Sequence, residues 1–184
     1  MIPVLVAVTA ALAMDGVAAL AHRHLMHGRG WVWHRSHHLA RGRRLEANDA
    51  FPVVFAVVTA TVMAAGAGGA GLRPLLWVGA GVSAYGLSYL VVHDVCIHGR
   101  LGRPLIVGRY LRWVRDAHRI HHLYGGAPYG FLLPVVPRAL RRRASTTDRD
   151  PFGRAPVGAG WTSEAVTVAS LRAVDTRARP ENTS

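Results

Sequence analysis

At 184 residues the chain is long enough for one domain with a tail, and its one cysteine, Cys96, excludes an intrachain disulfide and any two-cysteine redox or metal motif. The hydrophobic share is 51% although the formal net charge is +12. That pairing points to a membrane protein with basic segments outside the bilayer. Aromatic–basic interleaving, zinc spacings and helix-turn-helix cues are lacking, so no nucleic-acid partner is expected.

In chain order, three stretches are predicted to cross a membrane. Ile2–Ala21 carries Asp15 as its only charged residue. Ala50–Leu72 is uncharged, with Gly66, Gly68, Gly69 and Gly71 predicted to end its helix early, and Asn48 and Asp49 are placed to cap it. Pro74–Val92 is uncharged too, and Pro74 suits a first helical turn. Each stretch is near the ~20 residues that a hydrocarbon core of about 30 Å requires. Arg23, Arg29, Arg35, Arg41, Arg43 and Arg44 lie between the first two spans, and Arg100, Arg103, Arg109, Arg112, Arg115 and Arg119 follow the third. Only Arg73 joins the second to the third. The positive-inside rule therefore puts both basic segments on the cytoplasmic face of a cell membrane and the N-terminus on the other side.

Beyond the third span, Val107, Tyr110, Leu111 and Val114 share one helical face and Arg109, Arg112, Arg115, Asp116 and Arg119 the other. This predicts an amphipathic interfacial helix whose apolar face runs on into histidines. Trp31, Trp33, Tyr110 and Trp113 are read as interfacial anchors. From Ala144 the composition turns to Thr, Ser, Asp, Arg, Gly and Pro. Residues 1–143 are thus read as the membrane domain and 144–184 as a polar, disordered tail, with a weak helix over Glu164–Val174.

All 11 histidines fall in four windows: His22–His27, His34–His38, His93–His98 and His118–His122. HxxxxH occurs at His22/His27 and His93/His98; HxxHH occurs at His34/His37/His38 and at His118/His121/His122. Each HxxHH puts three imidazoles on one helical face. The i, i+5 pairs diverge by about 140° on a regular α-helix. They require a local unwinding or π-bulge, or else they serve different ions. Apart from His24, the windows supply ten imidazoles, His22, His27, His34, His37, His38, His93, His98, His118, His121 and His122. That is more than one ion uses, so two ions with open positions are expected. Imidazole alone leaves iron, zinc, copper and nickel open. A histidine-rich storage or transport surface is the alternative, although recurring spacings favour a defined site. The fold class expected is all-α: an integral membrane helical bundle with a cytoplasm-facing, histidine-rich di-metal site. Asp15, Asp94, Asp116 and the eleventh histidine, His24, are candidates for supporting the ligands from behind. For Asp15, Asp94 and Asp116 a structural polar contact is the alternative, and for His24 an exposed position or ligation.

AHRHLMHG (Ala21–Gly28), WHRSHH (Trp33–His38), HDVCIHGR (His93–Arg100) and AHRIHH (Ala117–His122) together resemble the histidine boxes of the membrane-bound fatty acid hydroxylase superfamily. NDAFPVVFAV (Asn48–Val57) and GGAPYGFLL (Gly125–Leu133) narrow the resemblance to its β-carotene hydroxylases, over roughly residues 10–143. The resemblance implies a non-haem monooxygenase with two iron ions on the ten histidines and O2 as co-substrate. It would hydroxylate C3 of β-ionone rings, taking β-carotene to β-cryptoxanthin and zeaxanthin. A carotenoid ketolase or another ring oxygenase of the superfamily is the nearest alternative, and a non-catalytic metal-binding protein the more distant one. No dinucleotide, flavin or iron–sulfur motif is present, so electrons are expected from an external donor, which the family implies to be ferredoxin. A basic cytoplasmic face would attract an acidic partner of that kind.

Overall fold

A computed structural model of the chain describes residues 1–39, 45–102 and 105–152. The predicted helix over Glu164–Val174, and the tail from residue 153 onward, lie outside the described residues.

Helix α1 (Ile2–Leu20) continues without a break into a π-helical segment, Ala21–Arg29. The chain kinks at Gly28 and enters α2 (Trp31–His38). A short 3₁₀ turn at Ala47–Asp49 leads into α3 (Ala50–Ala67), whose end falls in the glycine-rich stretch. A second 3₁₀ turn, Ala70–Leu72, precedes α4 (Pro74–Tyr89), which opens on Pro74. This helix also runs on as a π-helical segment, Leu90–Ile97. Helix α5 (Gly108–Tyr124) ends on Gly125 at φ 64°, the left-handed conformation that terminates helices without a Cβ penalty. Helix α6 (Arg138–Ala144) follows. No strand occurs among the described residues.

Among the described residues, three helical runs are long and apolar enough to cross a bilayer: Ile2–Arg29, Ala47–Ala67 and Pro74–Ile97. The first and third extend past the predicted spans, because each carries its histidine window on the same helix, whereas the second starts at Ala47 and ends at Ala67, short of the predicted Leu72. Their large side chains point outward, with Val4 65%, Leu12 68% and Leu87 62% exposed, as expected where lipid is the solvent.

Helix α4 packs against both α1 and α3. Close approach rests on small residues, as membrane helices require. A Cβ at Gly81 would run into the Ala7 carbonyl oxygen and come within 2.9 Å of Ala10 Cβ, and one at Gly66 would meet Leu76 N at 2.7 Å. Gly81→Val is therefore expected to force α1 away from α4, where overpacking costs about 1–3 kcal/mol or more. The full chain in detergent should lose its monodisperse elution peak. Gly86→Ala, with nothing within 4 Å of the added methyl, should elute unchanged.

Candidate metal centre

The π-helical segments resolve the i, i+5 spacing. Gly30 N–H donates to Leu25 O at 2.8 Å, and His98 N–H to His93 O at 3.0 Å. An i→i+5 turn returns residues five apart to nearly the same face. His22 and His27 thus converge with rings 5.0 Å apart, and His93 and His98 with rings 4.6 Å apart.

Ten imidazoles form two adjoining sets. In the first, His22, His27, His34, His38 and His121 direct one ring nitrogen each to a common point. Their Nε2 atoms approach at 3.0 Å (His22–His34), 3.1 Å (His27–His121) and 3.2 Å (His34–His38 and His38–His121). His37, His93, His98 and His118 form the second set, and His122 joins it, its Nε2 3.2 Å from His37 and 2.9 Å from His118. The repeated HxxHH is divided between them. His34 and His38 enter the first set and His37 the second; His118 and His122 enter the second and His121 the first. Neighbouring rings of the two sets touch, His38 stacking on His122 at 4.4 Å.

For five of the ten rings the opposite nitrogen has a partner as well. His22 Nδ1 donates to Tyr129 O at 3.0 Å, His34 Nδ1 to Asn48 Oδ1 at 2.7 Å and His121 Nδ1 to Gly126 O at 2.6 Å. His93 Nδ1 donates to Asp94 Oδ1 at 2.8 Å, and His37 Nδ1 lies 3.4 Å from Glu46 Oε2. With the proton fixed on Nδ1, Nε2 carries only a lone pair. Two such lone pairs 3.0 Å apart, as in His22 and His34, repel unless a cation lies between them. Metal–imidazole bonds of about 2.0–2.1 Å place ligands at right angles about 2.9 Å apart and tetrahedral ligands about 3.3 Å apart. The shortest separations, 2.9–3.2 Å, span the interval between the two. Five imidazoles in each set fit two metal ions.

Of the further candidates, Asp94 stands where a supporting carboxylate should, behind His93. Asp15 supports the site through the backbone instead of through a histidine. Its Oδ1 accepts from Tyr85 Oη at 3.1 Å and Leu132 N at 2.9 Å, and its Oδ2 accepts from Leu133 N at 3.2 Å. The segment it seats carries Phe131, which stacks on His22 at 4.9 Å, and the Tyr129 carbonyl that holds His22. His24 is exposed and outside both sets. Asp116 is exposed too, on the arginine-bearing side of α5 beside Arg112. That side turns away from the site, whereas His118 and His121 are buried.

Several supporting residues were not singled out from sequence. Asn48 is a histidine acceptor, not the cap its position suggested; Asp49 makes no side-chain cap bond to α3 and instead accepts from Glu46 N at 2.9 Å, closing a capping box on the 3₁₀ turn before it. Arg100 gathers three carboxylates, with Asp49 at 2.6 Å, Glu46 at 3.3 Å and Asp94 at 3.6 Å. Residues 145–152, expected to open the tail, strap back across α5. Arg119 donates to Arg149 O and Thr147 O, Arg115 pairs with Asp150 at 2.7 Å, and Phe152 lies parallel to the His118 ring at 5.6 Å.

Burial, reinforced by neighbouring imidazoles, holds His37, His118, His121 and His122 well below the usual imidazole range. Burial takes His34 down to about 4, against the hydrogen bond to Asn48. Burial also pushes the Glu46 carboxyl up to about 7, against the pull of Arg100. These five imidazoles are therefore neutral and ready to ligate at neutral pH. Unfolded, they would titrate near pH ~6.5. The unfolded chain thus binds protons first as pH falls, and stability of the metal-free fold declines below about pH 6.5. Glu46, raised to about 7, takes up its proton in the fold and offsets part of this loss, but five imidazoles outweigh one carboxyl, so we expect the thermal midpoint of metal-free protein to fall from about pH 7 toward about pH 5. Bound metal should defer the fall, because proton and metal compete for one lone pair. A metal-free midpoint unchanged over that interval would contradict the buried, neutral cluster.

The family model for Fatty acid hydroxylase matches residues 7–141. A beta-carotene hydroxylase of Pseudescherichia vulneris is 41% identical over 157 residues, covering 83% of this chain and 86% of that protein. Its counterpart in Pantoea ananas is 41% identical over 143 residues, covering 75% and 79%. The chloroplastic beta-carotene 3-hydroxylase 1 of Arabidopsis thaliana is 39% identical over 131 residues, covering 68% of this chain and 42% of the longer plant protein. No solved structure matches the chain significantly. A match that runs from α1 into α6 and takes in all ten clustered histidines leaves one assignment: the chain belongs to the Fatty acid hydroxylase family.

Proposed function

We propose that this protein hydroxylates C3 of the β-ionone rings of β-carotene, giving β-cryptoxanthin and then zeaxanthin. The observation that carries the reading is likeness to beta-carotene hydroxylases at 41% identity across 86% of one such protein, together with the paired histidine sets. Each cycle inserts one atom of O2 into a C–H bond and reduces the other to water, consuming two electrons and two protons.

The metals proposed are two irons, one on His22, His27, His34, His38 and His121 and one on His37, His93, His98, His118 and His122. When bound, the iron pair supplies reductive activation of O2, which no side chain here can perform. The protein's own part is arrangement. Outward Nδ1–H bonds fix the tautomer and direction of His22, His34, His93 and His121. Phe131, packed on His22 and on Tyr89 at 4.7 Å, keeps the floor of the site dry. The outward apolar surfaces of the three long helices face the layer in which a carotenoid dissolves, so substrate would reach the site from the bilayer.

The arginine distribution supports a site on the cytoplasmic side of the cell membrane. Exposed Arg109, Arg112, Arg141 and Arg142 suit docking of an acidic, ferredoxin-type electron donor; turnover indifferent to ionic strength would remove that docking mode. We read residues 1–143 as the hydroxylase domain and 144–184 as an appended segment, whose first part, 145–152, straps onto α5.

Pigment analysis of a bacterium that accumulates β-carotene tests the reading. With this gene expressed, β-cryptoxanthin and zeaxanthin should appear. Ring ketones would make the protein a ketolase. Unchanged β-carotene, in a strain supplying reduced ferredoxin and membrane-inserted, iron-loaded protein, would overturn the proposal.

A further inference from the structure

The two histidine sets share one ligand type and differ in what stands behind it. Each ring with its Nδ1 turned outward has room for one strong acceptor. For three rings of the first set those acceptors are neutral: the Tyr129 carbonyl for His22, the Asn48 amide for His34 and the Gly126 carbonyl for His121. In the second they are carboxylates: Asp94 on His93 at 2.8 Å and Glu46 beside His37 at 3.4 Å. Arg100 holds both from behind at 3.6 and 3.3 Å and takes in Asp49 at 2.6 Å. Asp94 and Asp49 already outnumber the one guanidinium, so this side is net negative even with Glu46 protonated. A carboxylate acceptor draws the imidazole toward imidazolate and raises its strength as a ligand. Its charge also acts on a bound cation through surroundings of low dielectric, since His93 and His37 are 2% and 6% exposed.

Building on the metal assignment proposed above, we propose that the two metal positions are unequal. The position held by His37, His93, His98, His118 and His122 binds its ion the more tightly, and Asp94, with Glu46, is the positioning group responsible. The position held by His22, His27, His34, His38 and His121 is the exchangeable one. The first ion to load therefore ties α2 to the third span and α5. The second ion completes the site against the Gly125–Leu133 loop and is the first lost when iron is scarce.

The test uses the full chain in detergent, loaded with ferrous iron without oxygen and challenged with a ferrous chelator while released iron is followed by absorbance. Saturated protein should hold two irons per chain and release them in two equal phases differing in rate by about tenfold or more. Asp94→Asn should speed the slow phase about tenfold and leave the fast one alone. Asn48→Asp, which supplies a carboxylate behind His34, should slow the fast phase. Glu46→Gln repeats the first arm if Asp94→Asn fails to accumulate. A merely structural weakening would move both phases together. Two irons leaving wild-type protein in one phase, or Asp94→Asn speeding the fast phase, would overturn the inequality while leaving the two-metal reading standing. Fewer than two irons at saturation would overturn the two-metal reading and this inference with it.

Discussion

His121→Ala is expected to abolish β-carotene hydroxylation, lowering it by well over about a hundredfold, because losing even a group behind a metal ligand typically costs about 10–100-fold. His121 is the most enclosed of the ten, at 0% exposure. Its Nε2 lies 3.1 Å from that of His27 and 3.2 Å from that of His38, so its loss opens the first set between two other donors. Its Nδ1 also holds Gly126 at 2.6 Å, at the start of the loop that carries Tyr129 and Phe131. Iron content should fall from two per chain toward one, because the second set takes no atom from His121. His24→Ala is the matched control. It removes an exposed ring outside both sets, and activity should stay within a factor of about two. Retained activity in His121→Ala would remove the first set from the reaction.

Asp15→Ala should have the second-largest effect, although Asp15 touches no proposed ligand. Four donors converge on its carboxylate: Tyr85 Oη and the backbone N–H groups of Phe131, Leu132 and Leu133. A methyl there strands them inside the first span's packing, where each unsatisfied group costs about 1–3 kcal/mol. We expect at least about 3 kcal/mol of lost stability, read as a lower thermal midpoint in detergent. Hydroxylation should fall more than about tenfold, since His22 loses both the seated Tyr129 carbonyl and the stacked Phe131. Asp15→Asn keeps one acceptor oxygen and should fall between. Full activity in Asp15→Ala would mean that the loop is held by other contacts.

The features legible in the sequence are those that chemistry or lipid imposes locally. A bilayer demands long uncharged helices, and metal demands imidazoles at helical spacing, so the spans and the ten histidines can be read directly. The i, i+5 spacing signals a departure from the α-helix without saying which; the π-helical segments at His22–His27 and His93–His98 provide the answer. How HxxHH divides between the two sets is set by where α2, α5 and the end of the third span bring their side chains together, and no single segment encodes it. The groups behind the ligands are the least legible. Asn48 lies 14 positions from His34, and Tyr129 lies 107 from His22. Asn48 sits where a helix cap is expected, and a backbone carbonyl has no side-chain signature. Polar composition after Ala144 hid the strap, whose hold on α5 depends on Arg115, Arg119 and Phe152 meeting across a turn.

The account stands most directly on where the oxygen goes. Purified, iron-loaded full chain would be given β-carotene, reduced ferredoxin with its reductase, and isotopically labelled O2, and the products resolved by chromatography and mass spectrometry. The account predicts β-cryptoxanthin followed by zeaxanthin, each ring hydroxyl carrying one labelled oxygen. Hydroxyl oxygen drawn from water, or O2 consumed with the carotenoid untouched, would contradict it.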